Sequence, residues 1–135
     1  IIDIHEVNPI ELAVMDTTRA EDVAEWIRTE TGADVVDRTQ SNKFAVEDYN
    51  AWMEALRNNI LHHTGDKGLT THVLNAIAKL LPGGDTRFDR PKRNVNTRDQ
   101  DRRVIDALVG AAMVHAALDA IFRKEEEEPT SWRPM

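Results

Sequence analysis

The chain of 135 residues contains no cysteine. Disulfide staples and thiolate chemistry are therefore excluded, which fits a reducing compartment. No apolar run reaches the roughly 18–20 residues that a membrane span requires, because Asp106 and His115 interrupt the best candidate. No secretory signal pattern is visible in the first residues. The sequence also lacks an internal repeat and a Gly-rich Lys-Ser/Thr phosphate loop. His62, His63 and His72 match no HExxH or comparably tight spacing, so a zinc site has no sequence basis.

What remains is the composition of a soluble globular chain, 41% hydrophobic and 30% charged, at a length that supports one core. The net charge of −7 argues against a nucleic-acid surface until its distribution is read. Residues 86–103, "TRFDRPKRNVNTRDQDRR", hold seven arginines and lysines against three aspartates, a local +4. The glutamate run 125–128 lies at the opposite extreme.

Along the chain, "IIDIHEV" and "IELAVMD" read as two short strands parted by the Asn8-Pro9 turn signal. A helix is predicted after Asp16, capped by Thr17 or Thr18, with Val23, Trp26 and Ile27 as its apolar stripe and Gly32 as its stop. "ADVVD" reads as a third strand and "RTQSNK" as a loop. Residues 46–58 have helical spacing at Val46, Tyr49, Trp52 or Met53, and Leu56, "ILHH" has the look of a short strand, and 69–81 reads as an amphipathic helix ended by Pro82-Gly83-Gly84. A long basic loop then leads to an apolar helix over 104–122. Trp26 and Trp52 are expected in the core. Strands alternating with helices predict an α/β domain with a partly parallel sheet, over residues 1–124, followed by an acidic, mobile tail at 125–135.

The acids at element ends carry the functional signal. Asp16 closes an apolar strand, where open α/β sheets gather ligands. Asp106 opens the apolar helix, and a charge expected to be buried there needs a pair, a hydrogen bond or a metal. Two carboxylates converging at one sheet margin suit Mg²⁺ or Mn²⁺, in the arrangement used for in-line phosphodiester cleavage. Each has a plainer reading: Asp16 as a helix cap, Asp106 as an ion-pair partner of Arg102 or Arg103. Asp37 ends a strand too and is a further candidate at the same sheet edge, with an ion pair to Arg38 or a surface position as its plainer reading. Asn75 is expected to satisfy a local backbone group.

"LHHTGDKGLTTHVLNAIA", "FDRPKR" and "QDRRVIDALVGAAMVHAAL", in this order, together with "DVVDRTQSNKFAVEDYNAWMEALRNNILHH" upstream, resemble the closing part of the nuclease domain of tailed-phage large terminase subunits. The resemblance implies an RNase H-like mixed sheet flanked by helices and a two-metal DNA endonuclease that cuts concatemeric DNA. Asp106 matches the family's last acid and Asp16 its middle acid. The first acid has no match, since only 15 residues precede Asp16; Asp3 is a substitute that does not fit the family order. The resemblance thus covers the later two-thirds of such a domain, incomplete at its N-terminus, as a fragment or half of a split protein.

Arg87, Arg90, Lys92, Arg93, Arg98, Arg102 and Arg103 lie just before the Asp106 helix and read as a DNA clamp or as a solvated loop with its own salt bridges to Asp89, Asp99 and Asp101; the resemblance implies that a histidine such as His63 touches a DNA phosphate or a metal-bound water. The implied partners are double-stranded DNA, an ATPase motor domain or N-terminal half, a small terminase subunit and a portal ring, in the cytoplasm of an infected bacterial host. The alternative is a non-catalytic RNase H-like module that binds DNA or a packaging partner.

Overall fold

The computed structural model describes residues 1–91 and 103–127, with side chains described as far as Lys124 in the last helix. The chain is mixed α/β, with two small sheets flanked by helices. In the first sheet β1 (Leu12–Met15) and β2 (Asp34–Asp37) run parallel, with Leu12 opposite Asp34 and Met15 opposite Asp37. Parallel strands need a crossover, supplied here by helix α2 (Glu21–Thr31). α2 ends as its glycine requires: Gly32 takes the left-handed conformation at φ 69°, and its N–H donates to the Arg28 carbonyl.

The first seven residues form not a strand but a helical turn and a half, α1 (Ile2–Val7), with no buried residue. Its alternating isoleucines mimic a strand. However, Asp3 lies in its first turn, and His5 Nδ1 accepts the Ile10 N–H beyond the Asn8-Pro9 turn. The buried positions of α2 are Ala24 and Ile27, one turn apart, while Val23 and Trp26 are 42% and 41% exposed. The expected core role of Trp26 is thereby corrected; that of Trp52 holds.

Helix α3 (Asn42–Arg57) starts on Ser41, whose Oγ accepts the Phe44 N–H. It ends with Asn59 left-handed at φ 54° and the Ile60 N–H bonded back to the Ala55 carbonyl, a Schellman turn built on asparagine. "ILHH" is therefore the exit from a helix cap and not a strand, and its Leu61 packs against the core. Asp66 then caps helix α4 (Lys67–Asn75) through the Leu69 N–H at 2.7 Å.

The predicted helix over 69–81 is broken in two. Ala76 is extended (φ −74°, ψ 147°), and β3 (Ile77–Leu80) pairs antiparallel with β4 (Thr86–Asp89). Pro82-Gly83-Gly84 is the tip of this hairpin. Both glycines take positive φ, 111° and 96°, and the Leu81 N–H donates to the Asp85 carbonyl to close it.

Helix α5 (Asp106–Glu127) runs past residue 124, where the tail was expected to begin. It packs on α3, α4 and β1, which makes it the centre of the molecule, while α3 also packs on β4. Trp52, Leu108 and Ala112 are the buried core, with Met53, Ala76, Phe88 and Ala111 against them. Among the described residues the two strand pairs do not join into one mixed sheet.

Candidate functional site

A cleft of about 330 Å³ opens between the loop after β2, α3, the end of β4 and the start of α5. Thr39 and Gln40, Asp48, Arg87, Asp89 and Arg90, and the segment from Val104 to Met113 contribute to its walls. Three of the lining residues are carboxylates, and they differ in how they are neutralised.

Asp48 is 5% exposed and faces Arg38, itself 8% exposed. Arg38 Nε donates to Asp48 Oδ1 at 2.6 Å, its Nη2 lies 3.3 Å from Glu47 Oε2, and its guanidinium sits over the Phe44 ring at 4.6 Å. Burial pushes the Asp48 carboxyl above its ordinary range, against the pull of Arg38. Asp89 is held by Lys79 Nζ at 2.8 Å and by the Arg90 N–H at 2.9 Å, with Arg87 Nη2 3.7 Å away. The Lys79 hydrogen bond leads in holding its carboxyl below the usual range. Asp106 is the third. Among the described residues its carboxylate has no hydrogen-bond or ion-pair partner.

The expectation that Asp106 is buried is corrected. It is exposed, because the buried face of α5 passes through Ile105, Leu108 and Ala112 and leaves residue 106 facing out. A metal is thus not needed to offset burial. What Asp106 offers is an exposed carboxylate lining the cleft, without a partner among the described residues.

The backbone around Asp106 is held from α4. His72 Nδ1 accepts the Ala107 N–H at 2.8 Å, and Asn75 Nδ2 donates to the Val104 carbonyl at 3.1 Å. Asn75 therefore satisfies a backbone group far along the chain and not a local one. Sequence reasoning missed this pair, although their spacing of three on a helix places both on one face.

Asp16 is half-buried at the end of β1 and is already engaged. Its Oδ1 accepts from the Thr18 N–H at 3.1 Å and the Thr18 hydroxyl at 2.6 Å, and its Oδ2 accepts from the Gln40 N–H at 3.1 Å. The hydroxyl bond, then the two backbone bonds, hold its carboxyl below the ordinary range. Asp16, and not Thr17 or Thr18, caps the 3-10 turn Thr17–Arg19. Asp37 performs the reciprocal service: its Oδ1 accepts the Thr17 N–H at 3.0 Å. The two strand-end acids thus lace the ends of β1 and β2 together. The expected Asp37–Arg38 pair is replaced by Arg38–Asp48, since the Arg38 side chain turns to α3.

Asp16 is not among the residues lining the cleft, but Gln40, which binds it, is. Arg87 and Arg90 both line it. Arg87 Nη1 donates to Asn42 Oδ1 at 3.0 Å, while its buried Nε has no partner among the described residues. Arg103 is exposed just ahead of α5. Lys92, Arg93, Arg98 and Arg102 lie outside the described residues. His63 is exposed and accepts the Gly65 N–H at Nδ1. Asp3 sits on α1, in a helical first turn and not on a strand.

Among the described residues no group of three or more His, Asp or Glu is arranged to hold a metal. Oxygen ligands still suit one hard cation, since Mg²⁺ takes one or two carboxylates and completes its shell with water and substrate phosphate. Asp106 fits that demand, and Asp16 keeps lone-pair capacity on Oδ2, which accepts a single bond. A second ion asks for more acid than these two supply. Compared with protein-family models, curated proteins and solved structures, the chain matches none.

Proposed function

We propose that this chain is the later part of an RNase H-like, metal-dependent DNA endonuclease of the large-terminase type. The observation that carries the reading is the state of the three cleft carboxylates: Asp48 and Asp89 are paired with cations, and Asp106 has no partner among the described residues. Such a carboxylate sharing a cleft with Arg87 and Arg90 suits a ligand that is anionic yet brings a divalent cation with it. A DNA phosphate with Mg²⁺ or Mn²⁺ has that chemistry.

In this reading Asp106 holds the cation, and Asp16, which lies outside the cleft lining and accepts the Gln40 N–H, is the second acid. Arg87 and Arg90 hold the phosphate flanking the scissile bond, so that it lies over Asp106. A bound divalent cation supplies charge stabilisation and promotes attack by water. The matching partners are double-stranded DNA, an ATPase motor or N-terminal half that brings the remaining acid, a small terminase subunit and a portal, in an infected bacterial host.

One observation favours a second reading, a module that binds DNA or a packaging partner without cutting. The Asp16 carboxylate already accepts three hydrogen bonds that serve the fold. Supercoiled plasmid incubated with Mn²⁺ and the chain, alone and together with a candidate N-terminal half that carries the remaining acid, separates the two. The endonuclease reading expects nicking that Asp106→Asn abolishes while DNA retention in a gel is kept. Retention with no nicking in either protein selects the binding module, and neither nicking nor retention removes both.

A further inference from the structure

We propose that the cleft is a pocket for one nucleotide with an amino-bearing pyrimidine, its base amine donating to Asp48 and its phosphate meeting Arg87 and Arg90. The pocket needs no cation, and it is the same whether or not the chain cuts DNA. Three features of its walls point there independently.

Asp48 is 5% exposed and lines the cleft; its Oδ1 is taken by Arg38, and its Oδ2 has no partner among the described residues. A buried carboxylate oxygen only accepts, so it calls for a donor. Arg87 lines the same cleft with donors to spare. Its Nη2 stands 3.7 Å from Asp89, beyond hydrogen-bond reach, and its buried Nε has no partner among the described residues. Arg90 adds a second guanidinium, and Lys79 already neutralises Asp89.

The third feature is Gly110. It lies inside α5, where glycine is a poor helix former, and a Cβ built there would meet nothing within 4 Å. Packing therefore does not demand a glycine. Its bare backbone instead widens the cleft that it lines.

Between these polar groups the walls are apolar, with Phe88, Val109 and Met113 among them. An apolar slot of about 330 Å³ with a few convergent polar groups stands at the small end of ligand pockets, with room for one nucleotide and not for a duplex. A planar base suits the thioether of Met113. A carboxylate accepts from the cytosine N4 amine, and arginine matches a phosphate. Uracil and thymine place O4 where that amine would be, an acceptor against an acceptor.

The test titrates the whole chain, in EDTA, with dCMP and with dUMP, which differs in having an oxygen where dCMP has the amine. Calorimetry gives the affinities and ¹H–¹⁵N spectra the location. The expected result is that dCMP shifts the amides of Asp48, Arg87 and Gly110 and binds about tenfold tighter than dUMP. Gly110→Leu fills the cleft and abolishes dCMP binding without lowering the melting temperature, since leucine is the better helix former. Asp48→Asn keeps an oxygen for Arg38 and offers an amide donor in place of Oδ2, so the preference turns to dUMP. Arg87→Met weakens dCMP but not deoxycytidine, which has no phosphate. A thymidine oligomer with one central dC identifies the source: tighter binding than dCMP means an unpaired nucleotide of a strand, weaker binding a free one.

Equal affinity for dCMP and dUMP overturns the amine contact and the proposal with it. Binding of dCMP that survives Gly110→Leu places the ligand elsewhere and overturns the pocket, as does no binding of either nucleotide up to about 10 mM. The wild-type comparison and Gly110→Leu keep the test decisive if Asp48→Asn does not fold.

Discussion

Asp48→Ala is expected to destabilise the fold by about 3–5 kcal/mol, the cost of leaving a buried cation without its partner. The residue left behind is Arg38, 8% exposed, with only the half-exposed Glu47 and the Phe44 ring for company. A loss of that size is a large part of the 5–15 kcal/mol that typically separates folded from unfolded chains.

Desolvation works against the complete pair. Burial raises the Asp48 carboxyl despite the bonded guanidinium, so desolvation outweighs attraction. With a folded pKa above the ordinary 3.8, the proton-linked part of the stability at Asp48 is fully present below that value and is lost as pH rises through the folded pKa, while at neutral pH the carboxylate still partners Arg38. Replacing both partners, Arg38→Met with Asp48→Leu, should accordingly recover most of the stability lost in the single variant. Urea unfolding of the two variants at neutral pH checks this. A single variant within about 1 kcal/mol of wild type would mean that Arg38 finds other partners when Asp48 is gone.

Leu108→Ala is the second large expectation, a loss of about 2–5 kcal/mol. Leu108 is 1% exposed and meets Trp52 and Ala112, where α3 and α5 press together. Removing it empties a space that two long helices cannot collapse to fill, and a rigid surround keeps the cavity open. It lies two residues beyond Asp106, so the same packing that stabilises the fold also fixes the start of α5. Leu80→Ala on β3 is the control: at 70% exposure it should change stability by no more than about 0.5 kcal/mol. Equal losses at the two positions would place the core elsewhere.

The sequence made some of this visible through local chemistry. The strand ending at Asp16, the Gly32 stop, the strand over 34–37 and the apolar helix at 106 all announce themselves by cap residues and apolar runs. Two failures have a common cause. In "IIDIHEV" and in 69–81 the apolar period points one way and the bonds that satisfy the backbone another. His5 and Asp3 support a helical turn in the first. In the second the helix stops at Asn75, and Pro82-Gly83-Gly84 between short strands was a hairpin signal.

The site was half legible. Asp106 and the arginines near it stood out by type and spacing. That Asp106 is exposed depends on which face of α5 is buried, and a helix this rich in alanine hides its phase. The Arg38–Asp48 pair was misassigned because Asp37 is the sequence neighbour, and a side chain's direction at a strand end is set by tertiary packing. His72 and Asn75 act across about thirty residues on a segment whose location no periodicity reveals.

Paramagnetic broadening by Mn²⁺ tests the role of Asp106 most directly. In ¹H–¹⁵N spectra of the chain, substoichiometric Mn²⁺ should broaden the amides of Asp106, Ala107 and Gln40 first, and Asp106→Asn should leave those signals sharp. Broadening that centres elsewhere, or that persists at these three amides in Asp106→Asn, would contradict a cation site on the first residue of α5.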